Sequence, residues 1–148
     1  MFSHLLDPAQ RRELVRSARF LARADGVVDL REEDILERMR VEVGFERDDL
    51  PEPPTKLLDL LDGLESAFDE PSSRRVLLIE LLRLVVADGA VEDEELEVVA
   101  AICRRLDLDT STYRACRGVA RRLRDVEAEG LTVIGDAEAP EDDGDVSA

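Results

Sequence analysis

This sequence of 148 residues has few of the side chains on which most catalytic and zinc sites depend. It contains one histidine, His4, and two cysteines, Cys103 and Cys116, which lack the C-x-x-C spacing of a zinc or redox site. No Ser-His-Asp triad, Cys-His pair, Walker motif or glycine-rich phosphate loop is present. We therefore expect a protein that is not an enzyme, in which both cysteines serve as small buried hydrophobic residues.

Aromatic residues are also scarce, at 3% of the chain, and tryptophan is absent. Because 44% of the residues are hydrophobic, a core can still form, but it has to be built from Leu, Val, Ile and Ala, and this composition favours helices. Few aromatic rings for base stacking and a net charge of −16 both argue against nucleic-acid binding.

Long hydrophobic runs are missing as well. The longest, residues 76–87, is interrupted by Glu80 and Arg83 and is shorter than the roughly 20 residues that a membrane span needs. We expect no signal peptide, because Asp7, Pro8 and paired arginines follow residues 1–6 in place of a longer apolar stretch. We expect a cytoplasmic protein with no stable membrane insertion, and we expect this run to form a buried helix with Glu80 paired to an arginine or placed on a polar edge.

The acidic residues are unevenly distributed. Residues 125–148 hold nine acidic side chains and no basic one, which leaves 27 acids against 20 bases in the rest of the chain. Glycine and proline interrupt any helical period there, and the segment has too little apolar surface to offset the entropy of ordering it. We predict one domain over residues 1–126 and a disordered acidic tail over residues 127–148.

The sequence repeats itself with an offset of 63 residues. Ten of the 25 positions in 8–32 are identical to the residues 63 positions later, which indicates a duplicated unit. Each copy begins with an acid-proline pair that suits a helix start and contains a glycine typical of a helix end. The apolar residues that follow recur every three or four positions. The repeats are predicted at about 8–44 and 71–107.

Six helices are predicted in total. The first helix of each repeat is expected at about 8–24 and 71–87, and a second helix follows the loop in each repeat. A linker helix at about 54–69 follows three prolines, and Thr110 or Ser111 is expected to cap a final helix. No segment alternates like a β-strand, so we predict an all-α compact helical bundle in which two helix-loop-helix repeats pack as a pseudo-symmetric pair.

Each repeat carries an Ala-Asp-Gly loop with further acids at matching positions. If the two units packed together, their loops would bring six carboxylates close to one another. The six are Asp25, Asp29, Glu32, Asp88, Glu92 and Glu95. Carboxylate oxygens suit a hard divalent cation such as Ca²⁺, Mg²⁺ or Mn²⁺, although neither loop has the spacing of an EF-hand. The alternative is purely structural, because the same acids can cap and terminate helices.

These loops resemble the paired Ala-Asp-Gly motifs of TerB-like domains. They read Ala24-Asp25-Gly26-Val27-Val28-Asp29 with Glu32, and Ala87-Asp88-Gly89-Ala90-Val91-Glu92 with Glu95. The resemblance, to tellurite-resistance TerB proteins and the related domain of DjlA-type co-chaperones, covers roughly residues 8–125. It implies an all-α fold, divalent-cation binding at the acidic loops, and a role in stress or tellurite resistance through protein partners. The sequence shows no J domain or transmembrane helix, so the co-chaperone role is not implied.

Arginine residues form a stripe on two of the predicted helices. Steps of three and four residues place each set on one side of its helix. The first set is Arg12, Arg16, Arg19 and Arg23, and the second is Arg114, Arg117, Arg121 and Arg124. The functional interpretation is a face that binds an acidic protein partner, a phosphate-bearing ligand or anionic lipid. The structural interpretation is a solvated helix face, which the acidic tail could cover.

Two functions therefore follow from the sequence. The first is a non-catalytic, TerB-like stress-associated protein that binds a divalent cation at its paired loops and acts through an unidentified protein partner. The second is a metal-free protein-interaction module that uses the arginine faces and the acidic tail. In both cases we expect a monomer or a weak homodimer.

Overall fold

Helices make up nearly all of the regular structure. The computed structural model describes residues 1–24, 26, 30–87 and 93–135, and within these ranges it contains no β-strand. The α-helices are α1 (Pro8–Ala22), α2 (Leu30–Val43), α3 (Leu57–Ala67), α4 (Pro71–Val85), α5 (Asp93–Arg105) and α6 (Thr110–Ile134). Short 3-10 turns occur at Ser3–Leu5 and Arg47–Asp49. The predicted all-α bundle of about six helices is confirmed.

Both acid-proline pairs begin helices, as predicted. The Asp7 carboxylate accepts a hydrogen bond from the backbone N–H of Gln10 at 2.8 Å, and the Gln10 side chain accepts one from the Asp7 N–H at 3.0 Å, which completes a capping box. The second pair uses a different cap. Glu70 makes no side-chain cap, and the Ser73 hydroxyl instead donates a hydrogen bond to the Glu70 carbonyl at 3.0 Å.

A glycine with a left-handed backbone conformation follows each of the first two helices. Gly26 has a φ of 81°, the left-handed conformation that the sequence predicts after α1, and Gly44 has a φ of 85° directly after α2. Side chains with a Cβ are strained at such angles. Gly89, for which the same role was predicted, lies outside the described residues.

The start of α6 differs from its prediction. Its N-cap is Asp109, whose carboxylate accepts a hydrogen bond from the backbone N–H of Thr112 at 2.8 Å. The predicted cap at Thr110 or Ser111 is wrong, because both residues are already within the helix. Asp109 has the extended backbone that a capping residue requires.

The C-terminal part of α6 extends beyond residue 126, the predicted end of the domain. Residues 127–134 belong to the helix, although the sequence assigned them to the tail. Glu127 supplies a physical reason, because its carboxylate lies 3.1 Å from Arg38 Nη1 and 3.6 Å from Arg83 Nη2. These ion pairs tie the distal part of α6 to α2 and α4. The rest of the predicted tail, residues 136–148, lies outside the described residues.

The most apolar segment of the sequence forms the interior of the bundle. α4 packs against α1, α2, α5 and α6, and its leucines are at most 1% exposed. Glu80 and Arg83 are buried among them as an ion pair, with 3.1 Å between Arg83 Nη1 and Glu80 Oε1. Of the two placements predicted for Glu80, the structure therefore shows the arginine pair and not the polar edge. Within the described part of the chain, no helix combines the length and apolar character that a membrane span requires.

The core is aliphatic, as the composition predicts, apart from one fully buried aromatic ring. The largest fully buried side chains are Phe68, Leu14, Leu21, Leu60, Leu64, Leu77, Leu78, Leu81, Leu82, Leu84, Ile102 and Leu106. Cys103 and Cys116 are also buried, as expected.

The two predicted helix pairs are present, since α1 packs against α2 and α4 packs against α5. Two pairs of leucines that lie 63 residues apart are buried in this core. Leu14 and Leu77 are fully buried, as are Leu21 and Leu84. Matching burial accords with a duplicated unit, while pseudo-symmetric packing of the two units stays a prediction.

Candidate functional site

Two of the six predicted metal ligands fall within the described residues. They are Glu32 and Glu95, which lie in the first turns of α2 and α5. The four outside the described residues are Asp25, Asp29, Asp88 and Glu92. Among the residues that the structure does describe, no group of three or more His, Cys, Asp or Glu side chains is arranged to hold a metal ion. The convergence of six carboxylates therefore stays a prediction.

Glu32 and Glu95 are both buried, with 7% and 2% of their surface exposed. The acids beside them in the sequence, Glu33 and Glu94, are exposed. An acid in the first turn of a helix can interact with the helix dipole while remaining in water, so its function there does not require burial. Burial at two positions exactly one repeat apart is therefore a shared property of the two units, and it directs a carboxylate inward beside each acidic loop.

The first predicted arginine face is divided by the fold. Arg12 and Arg23 are exposed. Arg16 and Arg19 instead donate hydrogen bonds to backbone carbonyls of the 51–52 linker segment, at 3.2 Å and 2.6 Å. Half of this face thus holds the linker against α1, and the other half stays available to solvent.

The second predicted face is divided in a similar way. Arg114 and Arg121 are exposed and Arg117 is half-buried. Arg124 turns toward the body of the protein, where its Nη1 donates a hydrogen bond to the Val86 carbonyl at 3.2 Å. Arg124 therefore belongs to a different surface, between α6 and the helices beneath it.

That surface is a cleft of about 260 Å³ between α2, α4 and α6, which we call the arginine cleft. Four arginines and two acids line it, namely Arg31, Arg38, Arg83, Arg124, Asp34 and Glu127. Its apolar lining consists of Ile35, Ala87, Ala120, Ala128 and Leu131. In the sequence, Ala87 is the first residue of one Ala-Asp-Gly motif, and Arg31 closely follows the other.

Ion pairs that reach another helix fix two of the cleft arginines, and Arg124 pairs with Asp125 on its own helix at 3.1 Å. Arg38 Nη2 lies 2.8 Å from Asp34, and Arg38 Nη1 lies 3.1 Å from Glu127. Arg83 pairs with Glu80 at 3.1 Å and with Glu127 at 3.6 Å. Carboxylate–guanidinium pairs of this kind are directional, so they orient both guanidinium groups within the cleft.

Of the cleft arginines, only Arg124 was among the predicted binding residues. A partial signal for the others was present in α2, where Arg31, Asp34, Ile35 and Arg38 follow the three- and four-residue steps of one helix face. The pattern does not show that this face meets α4 and α6. Only the tertiary packing brings the arginines together.

Glu80 is the most buried charged group of α4, at 1% exposure. Its carboxylate accepts hydrogen bonds from the Phe2 N–H at 2.7 Å and from Arg83 at 3.1 Å, and the Met1 nitrogen lies within 3.4 Å. Buried charge is stable only when it is paired and hydrogen-bonded in this manner. This carboxylate anchors neighbouring elements to α4.

The two cysteines are poor nucleophiles in this environment. Burial raises the pKa of the Cys103 thiol to about 11, and the neighbouring Cys116 adds to the increase. Burial also raises the pKa of the Cys116 thiol. Since the thiolate is the reactive form, both side chains are suited to packing rather than to thiol chemistry at neutral pH.

Comparison of this chain with models of protein families, with curated proteins and with solved structures finds no match. The resemblance to TerB-like domains thus continues to depend on the two loop motifs.

Proposed function

We propose that this chain is a non-catalytic, TerB-like stress-associated protein that binds a divalent cation at its two acidic loops and acts through a protein partner. The observation that carries the proposal is the burial of Glu32 and Glu95, one repeat apart and each beside an acidic loop.

The argument from burial is electrostatic. Little water screens a buried carboxylate from its neighbours, so repulsion between nearby acids is stronger at a buried position than at an exposed one. Each buried glutamate lies three and seven residues after two further acids, so like charges accumulate at each loop. A divalent cation would offset that repulsion with the oxygen ligands that it prefers. Because the loops join the helices of each pair, occupancy would also stabilise the fold.

Thermal unfolding of the chelator-treated protein tests this proposal, with and without millimolar Ca²⁺, Mg²⁺ or Mn²⁺. A cation at about 100 times its dissociation constant adds roughly 2.7 kcal/mol, which raises the midpoint by roughly 5 to 10 °C. The double variant Glu32→Gln/Glu95→Gln should lose this shift, and so should Asp25→Ala/Asp88→Ala. The matched control is Glu33→Gln/Glu94→Gln, which removes the same charge from exposed positions.

If the Glu32→Gln/Glu95→Gln variant still shows the shift of the midpoint, the cation does not bind at these two residues. If none of the three cations shifts the midpoint of the unmodified protein, the cation proposal is wrong and helix capping explains the acids.

The second candidate is a metal-free protein-interaction module that uses arginine side chains and the acidic tail. The arginine cleft favours it, because four guanidinium groups from three helices meet there on an otherwise acidic chain. The exposed members of the predicted faces are further basic side chains that a partner could contact, namely Arg12, Arg23, Arg114 and Arg121. This candidate predicts partner binding that is unchanged by a chelator.

A further inference from the structure

We infer that the last turns of α6 bind an amphipathic helix of a partner protein, one that carries lysine or arginine beside its apolar residues. The inference deepens the proposed partner-binding role, but it does not depend on a bound cation.

α6 carries a row of small and aliphatic residues with the spacing of a coiled coil. Successive members of the row are three, four, three, four and three positions apart, which is the repeat that joins the apolar sides of paired helices. The row, which we call the α6 seam, consists of Cys116, Val119, Leu123, Val126, Gly130 and Val133. Such a seam suits packing against other helices along its whole length.

The body of the protein covers only the first part of the α6 seam. Cys116 is buried in the core, and Val119 and Leu123 are half-buried. Val126 and Val133, in contrast, are 64% and 80% exposed. A straight α-helix turns by about 20° per heptad relative to a 3.5-residue repeat, so the seam gradually leaves the surface against which it starts. Its last two turns thus lack a packing partner within the described part of the chain.

The exposed end of the α6 seam leaves room for a close approach. Gly130 lies between the two exposed valines, and a Cβ at this position would meet no described atom within 4 Å. Ile134, which is 77% exposed, adds a further aliphatic side chain beside Val133. Glycine inside a helix is destabilising, and the described neighbours of Gly130 do not require it. Contact with a partner helix accounts for it, because glycine permits the closest approach of two backbones.

The charges around the exposed end of the seam are acidic. Residues 125–148 carry nine acidic side chains and no basic one. Asp125 and Glu129 are exposed beside the seam. Asp125 pairs with Arg124, whereas Glu129 forms no ion pair with another described residue. Acids beside an apolar seam select a partner with bases at the facing positions, and the net charge of −16 attracts such a segment over a longer distance.

The same charges disfavour two other occupants of this surface. A second copy of the chain would bring another net charge of −16 to the contact. An anionic lipid surface would be repelled by the acids of residues 125–148. A basic amphipathic helix avoids both forms of repulsion and can cover the exposed aliphatic side chains.

Fluorescence anisotropy with the full chain tests the inference, using a labelled synthetic peptide with leucine at heptad seam positions and lysine beside them. One control peptide has the same composition with the leucine spacing scrambled, and a second has glutamate in place of lysine. We expect the heptad peptide to bind, the scrambled peptide to bind at least about tenfold more weakly, and the glutamate peptide not to bind. All titrations are performed in chelator, so failure of the cation proposal would leave these results unchanged.

Two pairs of variants locate the site without changing the charge of the chain. Val126→Gln/Val133→Gln removes aliphatic surface from the exposed seam and should weaken binding of the heptad peptide by about tenfold. Val41→Gln/Leu58→Gln makes similar changes at positions of α2 and α3 that are 61% and 59% exposed, and it should leave affinity within about twofold. The inference is overturned if the two pairs bind equally, or if the scrambled peptide binds as tightly as the heptad peptide.

A third comparison tests the acidic flank. Glu129→Gln should weaken binding of the heptad peptide by about threefold, because it removes the unpaired carboxylate beside the seam. Glu94→Gln removes the same charge from an exposed position of α5 and should have less effect. Equal effects of the two variants would show that only the overall charge attracts the peptide, and they would contradict the assigned site.

Two further measurements separate the partner helix from the other occupants. Sedimentation equilibrium of the chain without peptide should show a monomer, and co-sedimentation with vesicles of phosphatidylcholine and phosphatidylserine should show no binding. A dimer that dissociates in Val126→Gln/Val133→Gln would assign the seam to a second copy of the chain. Vesicle binding that is lost in the same variant would assign it to lipid, and either result would refute the partner helix.

Discussion

The backbone N–H of Phe2 donates a hydrogen bond of 2.7 Å to the carboxylate of Glu80, a residue 78 positions away in the sequence and almost fully buried in α4. The same carboxylate pairs with Arg83, which reaches Glu127 of α6. One buried acid thereby connects the first residues of the chain, the central helix and the last helix. Its removal should affect all three.

We predict that Glu80→Ala destabilises the protein by about 3 to 5 kcal/mol, because it leaves Arg83 as a buried charge without its nearest partner. Urea unfolding monitored by circular dichroism measures this loss. The double variant Glu80→Leu/Arg83→Leu should recover a large part of it, since neither charge then remains buried. A loss below about 1 kcal/mol in Glu80→Ala would show that the pair is not important for stability.

Phe68 is the one aromatic ring among the fully buried side chains, and it directly follows α3. Phe68→Ala should destabilise the protein by about 3 to 5 kcal/mol through the cavity that it leaves, and Phe68→Leu should cost less than about 1.5 kcal/mol. Leu58→Ala, at an exposed position of α3, is the control and should change stability by less than about 0.5 kcal/mol. Equal losses for Phe68→Ala and Leu58→Ala in urea would contradict the assigned core.

Because an aspartate caps α6, the free energy of unfolding should depend on pH in the acid range. A hydrogen bond from the Thr112 backbone N–H, with a further one from its side chain, lowers the pKa of Asp109 below its ordinary value of 3.8. A carboxyl whose pKa is lowered by folding stabilises the folded state above the unfolded pKa, and this contribution disappears as the pH falls through the folded pKa. We therefore expect Asp109→Ala to be less stable than the unmodified protein at pH 6, with the difference shrinking below pH 3.8.

Urea titrations of both proteins between pH 2 and pH 7 measure that difference. The control is Asp107→Asn, which removes an exposed charge near the same helix start without removing the cap. Asparagine is used because Asp107 has a φ of 55°, a left-handed conformation in which alanine would be strained. A stability difference for Asp109→Ala that grows as the pH falls would refute the capping role.

Cys103 should react slowly with thiol reagents while the protein is folded. With a pKa of about 11, only about one in a thousand Cys103 thiols is ionised at pH 8, and the side chain is buried. Reaction with a disulfide reagent should therefore proceed far more slowly in buffer than in denaturant, where both cysteines react. The variant Cys116→Ala isolates the signal of Cys103, and its rapid modification in buffer would contradict the burial shown here.

Local signals located the starts of α1 and α4 but not both ends of α6. Asp7 with Pro8 and Glu70 with Pro71 predicted the starts of α1 and α4, because proline needs no hydrogen-bond partner in the first helical turn. The cap of α6 was placed one or two residues late, since Asp, Thr and Ser occur in succession and each can cap. The prediction from composition also ended the ordered chain too early, at residue 126. Ion pairs of Glu127 with residues distant in the sequence stabilise the last turns of α6.

The sequence by itself determined the number and approximate positions of the helices and the aliphatic core, since helix caps and apolar periodicity act between residues that are close in the chain. For Glu80 it left two placements open, beside an arginine or on a polar edge. Only the tertiary structure decided which arginines bind other parts of the chain and which remain exposed to solvent. It committed Arg16 and Arg19 to the linker and joined Arg31, Arg38, Arg83 and Arg124 in one cleft. The physical reason is that a long side chain with a guanidinium group can reach partners on any neighbouring helix, and helix packing alone determines which neighbour is present.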